Sequence, residues 1–135
     1  MIVADTNLIA YLLIGGPNTP LAEAVLRREK VWVAPPLWWH EFLNVVATTV
    51  RQNLLSEDRA LVVLAEAPLF VRSYDHERPW DVLRLSVETR LATYDCEFAV
   101  LARRLMVRLV TADKALLNAV PDVAISMEDF VSAKQ

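Results

Sequence analysis

The sequence predicts an α/β protein: one domain over residues 1–135, with a central parallel sheet of about five strands flanked by helices. Three observations predict it. Short apolar runs alternate along the chain with longer segments of helical periodicity. Those short runs lack apolar–polar alternation, as befits strands covered on both faces. Asp5 and Asp113 each stand just past such a run, where the crevice of a parallel sheet opens.

The elements follow in order. Ile2 to Ala4 reads as a buried strand ending at Asp5, and Asn7 to Ile14 as a helix stopped by Gly15-Gly16-Pro17. Pro20 to Glu29 is helical, with Leu21, Val25 and Leu26 on one side. Val31 to Ala34 is a second strand. Pro35-Pro36 then suits a helix opening, and that helix runs to about Gln52. Ser56 caps the next helix, which is expected to stop before Pro68, leaving Leu69 to Ser73 as a third strand.

Pro79 opens a helix in which Trp80, Leu83, Val87 and Leu91 recur at helical spacing. Thr93 is placed as the cap of a helix carrying Tyr94, Phe98, Leu101, Ala102 and Leu105 on one face. Val107 to Val110 is a strand leading into Thr111-Ala112-Asp113. Val123 to Ile125 is a short last strand, and Ser126 starts a C-terminal helix.

Composition narrows the function. Hydrophobic residues make up 55% and charged residues 23% of the 135, enough to fill a core. Two glycines cannot supply a Gly-rich phosphate loop. Cys96 is the only cysteine, which excludes an internal disulfide and a Cys-based zinc site, and it reads as a buried thiol in a reducing compartment. His40 and His76 have no metal-ligand spacing and read as structural or exposed. No apolar run reaches the ~20 residues of a membrane span, so a cytoplasmic protein without a membrane partner is expected. The net charge is -3, unlike that of a general nucleic-acid binder. A polyanionic substrate would need a cation between itself and the acids.

Four acids differ from ordinary surface charge. Asp5 follows a strand. Glu41 interrupts the apolar stretch Trp38-Trp39-His40-Glu41-Phe42-Leu43, Asp95 lies in a helix's first turn, and Asp113 follows Leu109-Val110-Thr111. Hard oxygen donors of this kind suit Mg²⁺ or Mn²⁺, and clustering them costs repulsion that a cation removes. Each also has a plainer reading. Asp5 and Asp113 can cap helices, Asp95 can complement a helix dipole, and Glu41 can be a solvated helix residue.

Taken together, Ile2-Val3-Ala4-Asp5-Thr6-Asn7, Glu41, Tyr94-Asp95 and Val110-Thr111-Ala112-Asp113 resemble the four acidic motifs of PIN domains, in order and across essentially the whole chain. The resemblance implies a Mg²⁺ site, with Mn²⁺ as an alternative ion. Asp5, Glu41, Asp95 and Asp113 serve in it as ligands and catalytic acids, with Thr6, Asn7 and Thr111 in support. It further implies a metal-dependent endoribonuclease similar to the free-standing toxins of VapC-type toxin–antitoxin pairs, acting on RNA, forming a homodimer and silenced by a cognate antitoxin. Where many members carry a further acid after the fourth, this chain has Lys114, Ala115, Leu116 and Leu117, so either fewer direct ligands or a second metal that binds only with RNA is expected.

Arg27, Arg28, Lys30, Arg103, Arg104, Arg108 and Lys114 are available to meet phosphates, although a solvated surface role is the default for each. Trp38, Trp39 and Trp80 are expected in the core, with base stacking or partner contact as the alternative. Two rival functions stand beside the nuclease. One is an inactive PIN-like binding module. The other is a phosphoacceptor receiver domain, disfavoured because Asp5 has no acidic neighbour at its strand end.

Overall fold

The computed structural model describes residues 1–134 and contains five parallel strands. They are β1 (Ile2–Ala4), β2 (Trp32–Ala34), β3 (Val71–Ser73), β4 (Leu109–Val110) and β5 (Ala124–Ile125), in the spatial order β3-β2-β1-β4-β5. The expected single α/β domain is therefore present. β1, β2 and β4 are wholly buried, which explains why their sequences are apolar without alternation.

Among the described residues eight helices flank the sheet: α1 (Thr6–Leu13), α2 (Thr19–Arg28), α3 (Trp38–Arg51), α4 (Glu57–Phe70), α5 (Pro79–Thr89), α6 (Thr93–Leu105), α7 (Lys114–Ala119) and α8 (Met127–Ser132). From β1 the chain steps outward to β2 and β3, then returns across the sheet to place β4 on the other side of β1. Such a reversal leaves a crevice beyond the carboxyl ends of the strands on either side of it, here β1 and β4. Val3 pairs with Leu109 and Ala4 with Val110. One residue further on, Asp5 lies beside Thr111, and its amide donates to the Val110 carbonyl at 3.1 Å.

Several local expectations are corrected. α4 does not stop before Pro68 but runs to Phe70, so β3 begins at Val71 rather than Leu69. Proline removes one donor in the last turn, and the ladder resumes when the Val71 amide reaches Ala67. Leu69 is 82% exposed and gains nothing from joining the sheet. Ala92, not Thr93, occupies the N-cap of α6, with no side-chain cap. Pro35-Pro36 precede α3 rather than opening it, since the helix starts at Trp38 after Leu37.

Trp80 is 78% exposed, so the core role expected of it is wrong. α5 faces the core with Val82 and Leu85, which rotates Trp80, Leu83 and Val87 to the surface. Of the two alternatives for His76 the structural one holds: it is buried, with Nε2 2.9 Å from Glu97 Oε2. Cys96 is buried, as expected. Among the described residues no helix is long and apolar enough to cross a membrane.

The helix that carries Glu41 is anchored by Phe42, which is fully buried with its ring 6.0 Å from Trp38 and 6.5 Å from Trp39. Phe42→Ala is expected to destabilise the protein by about 3–5 kcal/mol, through lost transfer energy and the cavity left behind. A urea titration checks this by a lower midpoint at unchanged slope.

Candidate metal centre at the β1–β4 crevice

The site grows from the β1–β4 register. Asp5 ends β1 in extended conformation and caps α1, its Oδ1 accepting from the Thr6 amide at 2.8 Å. Its other oxygen, Oδ2, accepts from the Thr111 hydroxyl at 2.7 Å, across 106 residues of sequence. Thr111 Oγ1 also accepts from the Asp113 amide at 2.9 Å and from Asn7 Nδ2 at 3.4 Å. One donor and two acceptor positions exhaust a hydroxyl's capacity, so Thr111 is fixed on every side.

Asn7 lies in the first turn of α1 and closes the network. Its amide nitrogen reaches Asp5 Oδ2 at 3.3 Å, while its oxygen accepts from the Ala112 amide at 3.3 Å. Thr6 works on the opposite side, where its hydroxyl donates to Glu41 Oε1 at 2.8 Å, tying α1 to α3. The three residues expected as supports thus each touch an acid or the loop that carries one.

The four acids converge electrostatically. Burial is the largest influence on Asp5 and pushes its pKa up to about 6; the Thr111 and Thr6 hydrogen bonds oppose this, and the charges of Glu41 and Asp95 add to it. Glu41 is also raised, chiefly by burial, with Thr6 opposing and Asp95 contributing. Asp95 is raised by burial and then by Asp113. Asp95, which makes no side-chain hydrogen bond among the described residues, is the common neighbour of the other three. Asp113 caps α7, accepting from the Ala115 and Leu116 amides at 2.8 and 3.4 Å. Capping and membership of the acidic cluster coexist at both Asp5 and Asp113.

The donor set fits a hard divalent cation. Burial and mutual charge raise Asp5, Glu41 and Asp95, and every side chain in the set offers hard carboxylate oxygens. Among the described residues, no three His, Cys, Asp or Glu side chains stand close enough to hold an ion unaided. Mg²⁺ does not need such a cage, because it commonly takes one or two carboxylates and fills its octahedron with water and substrate phosphate.

The basic residues are divided. Arg28 donates to the carbonyls of Val131 (3.0 Å) and Ala133, and Arg108 to those of Asp122 and Ala124 (3.3 and 3.1 Å), which commits both to structure. Arg103 and Arg104 do not border the acids but line a separate cavity between α5 and α6. Nothing in the sequence placed that cavity, because its walls come from two helices that pack only in the fold.

The chain is a parallel five-stranded α/β domain in which Asp5 and Asp113 follow the two strands at its topological reversal. The PIN-domain family model matches residues 2–122, and the chain belongs to that family, whose fold is generally that of a metal-dependent nuclease. The chain is similar in fold to PAE2754 from Pyrobaculum aerophilum. The two superpose with a TM-score of 0.77 at 23% identity, over 96% of this chain and 92% of that one. Curated protein sequences include no match.

The folded pKa of Asp5 lies above its ordinary value, so its contribution to stability is present below about pH 4 and is lost as pH rises to about 6. The loss is on the order of 3 kcal/mol in the absence of metal. Asp5→Asn removes that loss. In a chelating buffer the variant is expected to melt above the native chain at pH 7.5, with the gap shrinking towards pH 4. A gap independent of pH would contradict the origin given for the shift.

Proposed function

We propose that this chain is a Mg²⁺- or Mn²⁺-dependent endoribonuclease and the toxin of a VapC-type toxin–antitoxin pair. The observation that carries the reading is the buried Asp5 carboxylate, pinned by Thr111 at 2.7 Å and acted on by the charges of Glu41 and Asp95. Asp5, Asp95 and Asp113, with Glu41, would hold the cation. When bound, the ion supplies polarisation of water and phosphate and neutralises the charge that develops in the transition state.

The chain's own residues do the rest. Thr111 and Asn7 hold Asp5 Oδ2 towards the crevice. Thr6 holds Glu41 by Oε1, and the carboxylate's second oxygen, unbonded among the described residues, would accept a proton from water as the water oxygen bonds to a backbone phosphorus and the bond from that phosphorus to the leaving ribose oxygen breaks. Capping by the Ala115 and Leu116 amides fixes the Asp113 side chain at the start of α7. Support by Thr6, Asn7 and Thr111 lowers the freedom of the acids and so the cost of ordering them around an ion.

The toxin reading brings three companions with it: an RNA substrate, a cognate antitoxin protein and a second copy of the chain, in the cytoplasm. They follow from the resemblance of the acidic motifs. A receiver domain is disfavoured by the sheet order, since the flavodoxin-like order is 2-1-3-4-5 and this one is 3-2-1-4-5. An inactive PIN-like module remains the second reading, favoured by the lack of a closed three-acid cage among the described residues.

One experiment separates the two. Asp95→Asn is expected to lower the single-turnover rate of RNA cleavage in Mg²⁺ by at least about a hundredfold while the circular dichroism spectrum and melting point hold. Equal cleavage by the native protein and the Asp95→Asn variant would remove the site assignment, and no cleavage by the native protein in Mg²⁺ or Mn²⁺ would favour the binding module.

A further inference from the structure

The cavity between α5 and α6, of about 330 Å³, is lined by four arginines, Arg78, Arg84, Arg103 and Arg104, against two carboxylates, Asp81 and Glu88. Four positive and two negative side chains leave its lining at +2, on a chain whose net charge is -3. Two of the arginines are committed. Arg103 grips Asp122 with two bonds of 2.9 Å, and Arg78 lies 3.4 Å from Asp81. Among the described residues the other two carry charge without a carboxylate partner. Arg104 donates only to the His76 carbonyl, at 2.7 Å, and Arg84 makes no hydrogen bond or ion pair among the described residues.

A second cavity adjoins the first and shares Arg84 and Glu88 with it. Its other walls are Trp80, Leu83 and Val87, so an exposed indole stands one turn of α5 from the unpaired guanidinium. Charged and flat apolar surfaces side by side match a nucleotide unit: phosphate on guanidinium, base on aromatic face. α6 joins this surface to the acidic crevice, since Asp95 is in its first turn and Arg103 and Arg104 are in its last. At 1.5 Å per residue the two ends are about 13 Å apart along the helix.

We infer that the α5–α6 cavity is a phosphate-binding subsite for single-stranded RNA, with Arg84 and Arg104 as its phosphate contacts and Trp80 as a stacking platform. It holds the strand away from the point of cleavage and resolves how an acidic protein grips a polyanion. The inference rests on the ribonuclease reading for its ligand, but binding can be measured apart from cleavage.

The test is the affinity of the full chain for a fluorescein-labelled single-stranded RNA in Ca²⁺ buffer, followed against salt. Each phosphate contact on a single strand contributes about 0.7 to the slope of log K against log salt. Arg84→Ala is expected to weaken binding several-fold at low salt and to reduce the slope by about 0.7, with Arg84→Lys restoring most of the slope. Arg84 is exposed, so a change in melting point is not expected.

An unchanged slope in Arg84→Ala overturns the inference. So does a changed molecular mass by light scattering with an unchanged slope, which would assign the cavity to a protein interface. Displacement of the RNA by inorganic phosphate as effectively as by an unlabelled strand would assign it to free phosphate instead. If the native chain cleaves RNA but Arg84→Ala keeps the slope, this subsite falls and the nuclease stands. If the slope changes but no cleavage occurs, the nuclease falls and the subsite stands.

Discussion

The hydrogen bond from the Thr111 hydroxyl to Asp5 Oδ2 is the constraint on which the site depends. It exists because β1 and β4 pair in parallel with Ala4 beside Val110, so the next residues on each strand meet beyond the sheet edge. A register slip of one residue would turn Asp5 into the opposite face of the sheet. Val3, Ala4, Leu109 and Val110 are fully buried and close-packed, so a slip would have to repack the core and draw the Asp5 carboxylate towards it. Core packing thereby determines where a carboxylate and a hydroxyl meet, and the same hydroxyl positions the Asp113 amide.

Burying Asp5 within reach of the charges of Glu41 and Asp95 costs stability in the metal-free state. Its pKa of about 6 expresses that cost. The fold offsets part of it with the Thr6 amide, the Thr111 hydroxyl and the Asn7 side chain, which are neutral donors that favour the ionised form without cancelling its charge. The negative potential that remains is what a divalent ion would neutralise. The basic surface that would meet a nucleic-acid strand is kept apart, on α5 and α6, where guanidiniums do not compete with the ion for the carboxylates.

Much of this was legible in the sequence because strand ends are. Asp5 and Asp113 were conspicuous as acids closing apolar runs, and Glu41 as an acid inside one. The pairing of Thr6 with Glu41 was not legible, since it needs α1 and α3 to pack side by side. The exposure of Trp80 was missed because helical spacing identifies a stripe but not which stripe faces inward. Val82 and Leu85 form the inward one, and periodicity alone gives them no precedence over Leu83 and Val87. The continuation of α4 through Pro68 was missed because proline in a last turn costs only one bond, and the amide of Val71 closes the helix regardless.

The Thr111 network converges on the place where a divalent cation would bind. Titrating Mn²⁺ into isotope-labelled protein and following amide resonances tests this directly, because the paramagnetic ion broadens nearby signals. Selective loss of the Thr6, Asn7, Ala112 and Asp113 amide signals at substoichiometric Mn²⁺ is the predicted result. Broadening centred elsewhere, or spread evenly over the surface acids, would contradict it.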